Sequence, residues 1–400
     1  MTDEEILQSQ FVMTDNKRID RVIDLYTTYN PCVDLEAMKC GGYIQAVGEM
    51  MEPILGKFDD HAPEVIAYWA KHGMVKEFHG ENNPMSWELY EKKTGYHWEE
   101  PAEGAPQNRV KRWNSFVPVS AFDPANKGRK YPVVIMLHGG FNPISIVDGW
   151  GIPQEAAKRE WIVIAPSLEL DDVLDEILEE AKKLYPIDES RIYAAGFSYG
   201  GFMSNFLGNK RPDVYAAVAP CGAPISNGFV EKPIGPEPQT PFDGVPRAAA
   251  MGTYMPVINI AGNLDGFRFP IYDIGTRGNI SPVKVTAQQV VDGINSWARV
   301  NGAKEISLES VLALKGRTDI SQEERNLGLP LEADCRRTVV ADGITNYIGD
   351  LKSADGIVRV RIMAEMNMPH WPTPEMARQI FDFFSHFSRN RETGESVYNP

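Results

Sequence analysis

Arg191-Ile192-Tyr193-Ala194-Ala195 reads as a strand, and it runs without a connecting loop into Gly196-Phe197-Ser198-Tyr199-Gly200-Gly201. The stretch that follows, Phe202 to Gly208, reads as a helix. A chain can pass straight from strand to helix only through a sharp turn. Glycines two residues before and after the turning residue let the backbone pass without a Cβ collision. G-x-S-x-G alone occurs in many unrelated chains, but here it has the strand before it and the helix after it that such a turn needs. The serine at the turn is then raised above the end of its strand. A helix N-terminus lies beneath it and favours negative charge developing there.

The rest of the chain from about residue 108 repeats the same β-then-α pattern. Val110 to Val119 reads as an opening antiparallel strand. Tyr131 to Leu137 and Trp161 to Ala165 are continuous apolar runs, as expected of parallel strands covered on both faces. Gln154 to Arg159 fits a short helix between them, and Leu170 to Leu184 an acidic amphipathic one. Val214 to Ala219, Pro256 to Ala261 and Ile357 to Ala364 supply further strands. Helices are expected after Thr286, with Val290, Ile294, Trp297 and Ala298 on one face, and over Met376 to Phe387. This alternation predicts an α/β fold, a doubly wound and mostly parallel sheet. Such sheets hold ligands at the carboxyl ends of their strands.

Residues 1–107 form a region of different character, expected to be a helical N-terminal extension that caps the active site or makes a subunit interface in a homo-oligomer. Ile19, Val22, Ile23 and Tyr26 recur at helical spacing, and another helix is expected to open at Pro63 and end near Gly73. The region ends in a linker, Pro101 to Pro106. Within 108–400, the Pro- and Gly-rich connection 221–255 is placed as a lid between two strands would be. The span 304–355 is a second insertion, longer than a minimal core needs.

Composition limits the partners. A formal net charge of −15 lacks the basic footprint that nucleic acid or an anionic membrane requires. No apolar run approaches a membrane span, and the acidic start Met1-Thr2-Asp3-Glu4-Glu5 is no secretory signal. Cys32, Cys40, Cys221 and Cys335 are few and scattered and read as reduced thiols of a cytoplasmic protein. The seven histidines are dispersed, with no HxH or HExxH, and no Walker or dinucleotide glycine loop follows a strand. No metal and no cofactor are expected.

A serine hydroxyl is a poor nucleophile at neutral pH, so it needs a base, and the base needs an orienting carboxylate. Only His370 and His386 follow Ser198. His386 falls in the last helix among phenylalanines, whereas His370 lies just past the last strand between Pro369 and Trp371-Pro372, which stiffen its loop. His370 is therefore the expected general base and acid. Asp265 follows the strand ending at Ala261 and is the expected carboxylate, with Asp243 and Asp273 as competitors in less suitable positions. Acyl transfer also needs two donors aimed at the developing oxyanion. The backbone N–H of Tyr199 is one, and Gly140 or Phe141, in the His138-Gly139-Gly140-Phe141 loop, supplies the other. Trp371, Tyr199 and Phe141 flank these positions as a candidate substrate wall, or simply pack the loops.

Four segments resemble the α/β-hydrolase superfamily and, within it, the polyhydroxybutyrate-depolymerase and feruloyl-esterase group. They are Leu137-His138-Gly139-Gly140, Tyr185 to Gly201, Trp297-Ala298-Arg299-Val300-Asn301-Gly302 and His370-Trp371-Pro372. The resemblance implies an α/β-hydrolase fold and a Ser198, Asp265, His370 triad. It also implies a serine carboxylic ester hydrolase acting on a small or oligomeric ester. Gly-x-Ser-Tyr-Gly-Gly with a His-Gly-Gly loop also resembles serine peptidases of the prolyl-oligopeptidase kind, and a non-catalytic binding protein on the same fold is a third reading.

Overall fold

The computed structural model describes residues 63–80, 113–139, 150–166, 171–223, 251–262, 287–313, 318–319, 333–341, 344–365 and 372–400. In chain order the elements are α1 (Pro63–Lys71), β1 (Met74–His79), β2 (Trp113–Pro118), β3 (Tyr131–Leu137), α2 (Ile152–Arg159), β4 (Ile162–Pro166) and α3 (Asp171–Leu184). Then come β5 (Ile187–Phe197), α4 (Tyr199–Lys210), β6 (Ala217–Cys221), β7 (Val257–Gly262), α5 (Ala287–Val300) and α6 (Leu308–Ala313). The chain closes with β8 (Cys335–Ala341), β9 (Ile344–Lys352), β10 (Val358–Glu365), α7 (Pro374–Ser385), β11 (Phe387–Arg389) and β12 (Ser396–Tyr398).

Ten strands form one sheet in the order β1-β2-β4-β3-β5-β6-β7-β10-β9-β8. The central run from β4 to β10 is parallel, and antiparallel strands flank it on both sides. Parallel strands need crossovers, and the crossover helices cover both faces. That is why β3, β4, β6 and β7 are buried along their whole length. Strand alternation divides the core in two. On one face Val133, Ile135, Ile192, Ala194, Val218 and Val257 meet Leu174, Ile177 and Leu178 of α3 and Ile294 and Trp297 of α5. On the other, Val134, Met136, Tyr193, Ala195, Ile258 and Met363 meet Ile152 of α2 and Met376, Ile380, Phe381 and Phe384 of α7. Tyr193 stacks between Trp161 and Phe384, at 5.1 and 4.7 Å, and its hydroxyl donates to Phe387 O at 2.6 Å. Among the described residues no helix is long and apolar enough to cross a membrane.

The sheet begins earlier in the chain than the expected division near residue 107. β1 lies within the stretch expected to be a helical extension, and it pairs antiparallel with β2 from Met74↔Pro118 to His79↔Trp113. Its sequence, Met-Val-Lys-Glu-Phe-His, is short and half polar, as an edge strand can be. A half-buried polar cluster fixes it. Tyr185 OH donates to Glu77 Oε2 at 2.6 Å, and His79 Nε2 lies 2.8 Å from that hydroxyl and 3.0 Å from Ser115 Oγ. Burial pushes the Tyr185 phenol up and the His79 imidazole down. The insertion 304–355 likewise contributes to the sheet, through the hairpin β8–β9 beyond β10. Asp350 on β9, 2% exposed, accepts from Arg361 at 2.7 Å and from Arg337 at 2.5 Å.

The C-terminal hairpin β11–β12 is locked by Arg389, which is fully buried and, among the described residues, has no carboxylate bonded to it. Its guanidinium donates to Thr253 Oγ1 at 2.8 Å and to the carbonyls of Tyr215, Tyr254 and Gly394 at 3.0–3.1 Å. Burial lowers its pKa to about 10, so it stays charged at neutral pH. Arg389→Met orphans these acceptors and is expected to cost roughly 3 kcal/mol, read as a lower urea midpoint.

Candidate active site

The carboxyl edge of the sheet is built around Ser198. Its backbone sits at φ 57°, ψ −116°, and among the described non-glycine residues only Glu160 shares a positive φ. A β-carbon in that region is strained, and such strain persists only where the surroundings impose it. They do so through three backbone hydrogen bonds. Ser198 N donates to Cys221 O at the end of β6, Gly200 N donates to His138 O just past β3, and Phe202 N donates to Ser198 O to open α4. The distances are 2.9, 3.0 and 3.1 Å.

Three glycines make this packing sterically feasible. A Cβ on Gly196 would collide with the backbone of Gly200, one on Gly200 with Leu137 O and His138 O, and one on Gly201 with Cys221 O. The elbow is thus pressed between the ends of β3 and β6, with α4 leading away beneath it. Ser198 caps that helix without a side-chain hydrogen bond to it. α4 is itself anchored. Ser204 Oγ donates to Gly200 O at 2.6 Å, and Trp297 Nε1 donates to Asn205 Oδ1 at 2.8 Å.

The loop after β3 meets the elbow directly. A Cβ on Gly139 would lie 3.5 Å from Ser198 Cβ. His138, 4% exposed, turns its Nδ1 back to Gly139 O at 2.7 Å while its own carbonyl accepts from Gly200 N. It shapes the loop. Tyr199 is half-buried in the first turn of α4, while Gly140 and Phe141 lie outside the described residues.

Asp265, its competitors Asp243 and Asp273, His370 and Trp371 also lie outside the described residues. What the structure gives is where the chain departs toward them. β7 ends at Gly262 and β10 at Glu365, and these two residues are register partners on adjacent parallel strands. Along the same edge Leu137 pairs with Gly196, Phe197 with Cys221, and Cys221 with Ile260. The segments bearing Asp265 and His370 therefore start side by side at the edge where Ser198 stands. His386 is exposed at the C-cap of α7, its Nδ1 3.0 Å from Asn399 O, far along the chain from the elbow.

Two of the sequence motifs have structural duties. Asp188 accepts from Ser190 N, Ser190 Oγ and Arg191 Nε, folding the entry to β5 into a tight turn. Asn301, fully buried, exchanges hydrogen bonds with Met255 N and O at 3.0 and 2.7 Å, tying the end of α5 to the approach to β7. One residue that the motif reading passed over, Glu365, is also fully buried at this edge. Its burial comes from α7 packing over β10, which no local pattern announces. Among the described residues no group of three or more His, Cys, Asp and Glu converges as metal ligands would.

A mostly parallel sheet with this strand order, a strained serine between β5 and α4, and a glycine loop past β3 make up the α/β-hydrolase fold. The prolyl oligopeptidase family model matches residues 167–228, the stretch that carries the elbow. Feruloyl esterase B of Piromyces equi is 29% identical over 161 residues, which is 40% of this chain and 26% of that protein. The chain thus matches about a quarter of that relative's length. Among solved structures, the feruloyl esterase module from Clostridium thermocellum complexed with sinapinate is 13% identical. It covers 78% of this chain and 86% of its own, with a TM-score of 0.39. The fluorophosphonate-binding serine hydrolase FphF of Staphylococcus aureus, 13% identical, covers 47% and 79%, with a TM-score of 0.35. The sequence relatives fit a serine-esterase group of the α/β-hydrolases.

Proposed function

We propose that this chain is a serine carboxylic ester hydrolase that works through an acyl-enzyme. The observation that carries the reading is the backbone of Ser198, strained at positive φ and held between the ends of β3 and β6. Such strain, over-determined by hydrogen bonds from three elements, marks functional positions. In the proposed reaction His370 takes the Ser198 proton as the hydroxyl attacks the ester carbonyl, and Asp265 orients the imidazole. Tyr199 N–H and the N–H of Gly140 or Phe141 hold the oxyanion, with the N-terminus of α4 adding favourable potential. The alcohol leaves with the proton from His370. Water then attacks the acyl-enzyme, assisted by the same histidine, and releases the acid and Ser198.

The proposed substrate is a small or oligomeric ester of hydroxyalkanoate or hydroxycinnamate type, in line with the feruloyl esterase likeness. Trp371, Tyr199 and Phe141 are proposed to wall the acyl group. The cysteine usage, with Cys221 and Cys335 free, supports a reducing, cytoplasmic setting. A second reading, a prolyl-oligopeptidase-like serine peptidase, is favoured by the family match over 167–228. A panel of p-nitrophenyl and hydroxycinnamate esters set against aminoacyl-proline amides separates the two. Turnover of the esters with at least a hundredfold preference in kcat/KM is expected; preference for the amides overturns the esterase assignment.

A further inference from the structure

Glu365 ends β10, and the chain reaches His370 five residues later and returns to the described structure at Pro372 and Thr373. The two ends of that excursion are joined to each other. Thr373 Oγ1 donates to Glu365 Oε1 at 2.5 Å, a hydrogen bond between two fully buried side chains. The same hydroxyl oxygen accepts from Met376 N at 3.2 Å as the N-cap of α7, whose first helical residue is Pro374. One carboxyl group therefore fixes both where the strand stops and where the helix starts.

The surroundings of Glu365 suit an uncharged acid. Its second oxygen, Oε2, is buried without a hydrogen-bond partner among the described residues. Its register partner on β9 is Asn346, fully buried, whose Oδ1 likewise lacks a partner and whose Nδ2 is turned to Ile344 O at 3.2 Å. On β6 the buried Cys221 thiol, which donates to Ala219 O, is close enough for a Glu365 charge to act on it, and the register partner on β7 is Gly262. From α7 come the Glu375 carboxylate and the Arg378 guanidinium, already paired with each other at 2.5 Å. A bare carboxylate here would have a buried oxygen with no donor among the described residues, beside a second carboxylate.

We propose that Glu365 is a positioning residue: kept as the neutral acid, it staples β10 to the cap of α7 and sets the span across which the chain presents His370. The proposal rests on the esterase reading for its consequence in catalysis. Burial is the chief cause that pushes the Glu365 carboxyl up to about 8, with Glu375 adding to the rise and Thr373 and Arg378 opposing it. In the unfolded chain it ionises near the ordinary value of about 4.3. Between these values the unfolded state binds fewer protons than the folded one, so this group makes the fold less stable as pH rises from about 4 to 8.

The test is the pH profile of two variants in the full chain, with Ser198-dependent ester hydrolysis and the melting temperature read in parallel. Wild type is expected to lose kcat above pH 8, approaching tenfold per pH unit as Glu365 ionises. Glu365→Gln keeps an acceptor for Thr373 and has no proton to lose, so its descending limb should vanish and its melting temperature should gain on wild type steadily from pH 5 to pH 8. Thr373→Val, which removes the donor and leaves Glu365 in place, should lower kcat at least tenfold at pH 7 with KM changed less than threefold. An unchanged limb in Glu365→Gln, or wild-type kcat in Thr373→Val, overturns the positioning role. If wild type neither hydrolyses esters nor labels at Ser198 with a fluorophosphonate, the esterase reading falls instead. The melting series still decides whether Glu365 is held neutral, and a constant difference between the two proteins across pH refutes that.

Discussion

Replacing Ser198 with alanine is expected to lower kcat for ester hydrolysis by about 10⁴- to 10⁶-fold, the range seen when one member of a triad is removed. KM should move less than threefold, and the melting temperature should hardly change. The last expectation follows from the structure. Ser198 makes no side-chain cap to α4, and alanine carries the same β-carbon into the same strained φ. Ser198→Gly separates strain from chemistry. It should be as inactive as the alanine variant yet more stable than wild type by about 1 kcal/mol, since glycine occupies positive φ without the steric penalty. Residual activity within tenfold of wild type in either variant, measured on the best ester of the panel, would remove Ser198 from the chemistry.

The second large effect is structural. Gly200→Ala places a methyl group on the backbone oxygens of Leu137 and His138, neither of which is the flexible end of a side chain. To admit it, β3 and the elbow must separate and the Gly200 N–H to His138 O bond must break. A cost of about 4 kcal/mol or more is expected, at the severe end for a single substitution. Gly356→Ala is the control. It sits at positive φ, +83°, where helical Gly200 does not, and nothing lies within 4 Å of the added carbon. That change should cost only about 1 kcal/mol. Urea midpoints and soluble yield of the two variants make the comparison. Equal losses would mean that β3 and the elbow move apart at little cost and that the clash is not severe.

The elbow was legible in sequence because its constraint is local. Strand, turning serine and helix are adjacent in the chain, and the glycines that avoid collision sit at fixed offsets from the serine. The central strands were legible for a related reason: a parallel strand covered on both faces must be apolar throughout, and Val133 to Leu137 could be little else. The edges of the sheet were not. β1 is half polar and β8 half exposed, because each has a neighbour on one side only, and neither carries a period strong enough to stand out from a surface segment. The last helix begins two residues earlier than its apolar spacing suggests, at Pro374 after the Thr373 cap. It ends before Phe387, whose side chain is buried from a strand. Glu365 was silent for a different reason. In the chain it is only the residue after Ala364, and its meaning arises when α7, β6 and β9 close around it.

β10 has a position that bears on how the protein is made. It joins Val257–Gly262 on one side to the hairpin arm Ile344–Lys352 on the other, about a hundred residues after the first of these has been synthesised. A nascent chain emerges N-terminal end first, at a few residues per second. The nucleophile half of the sheet is therefore complete well before the strand that closes it leaves the ribosome. During that interval β7, apolar along its whole length, is the open border of the growing sheet, the kind of edge that pairs with other chains when nothing covers it. Synthesis thus leaves this apolar edge open until β10 arrives, and the pairing of β10 with β7 closes it.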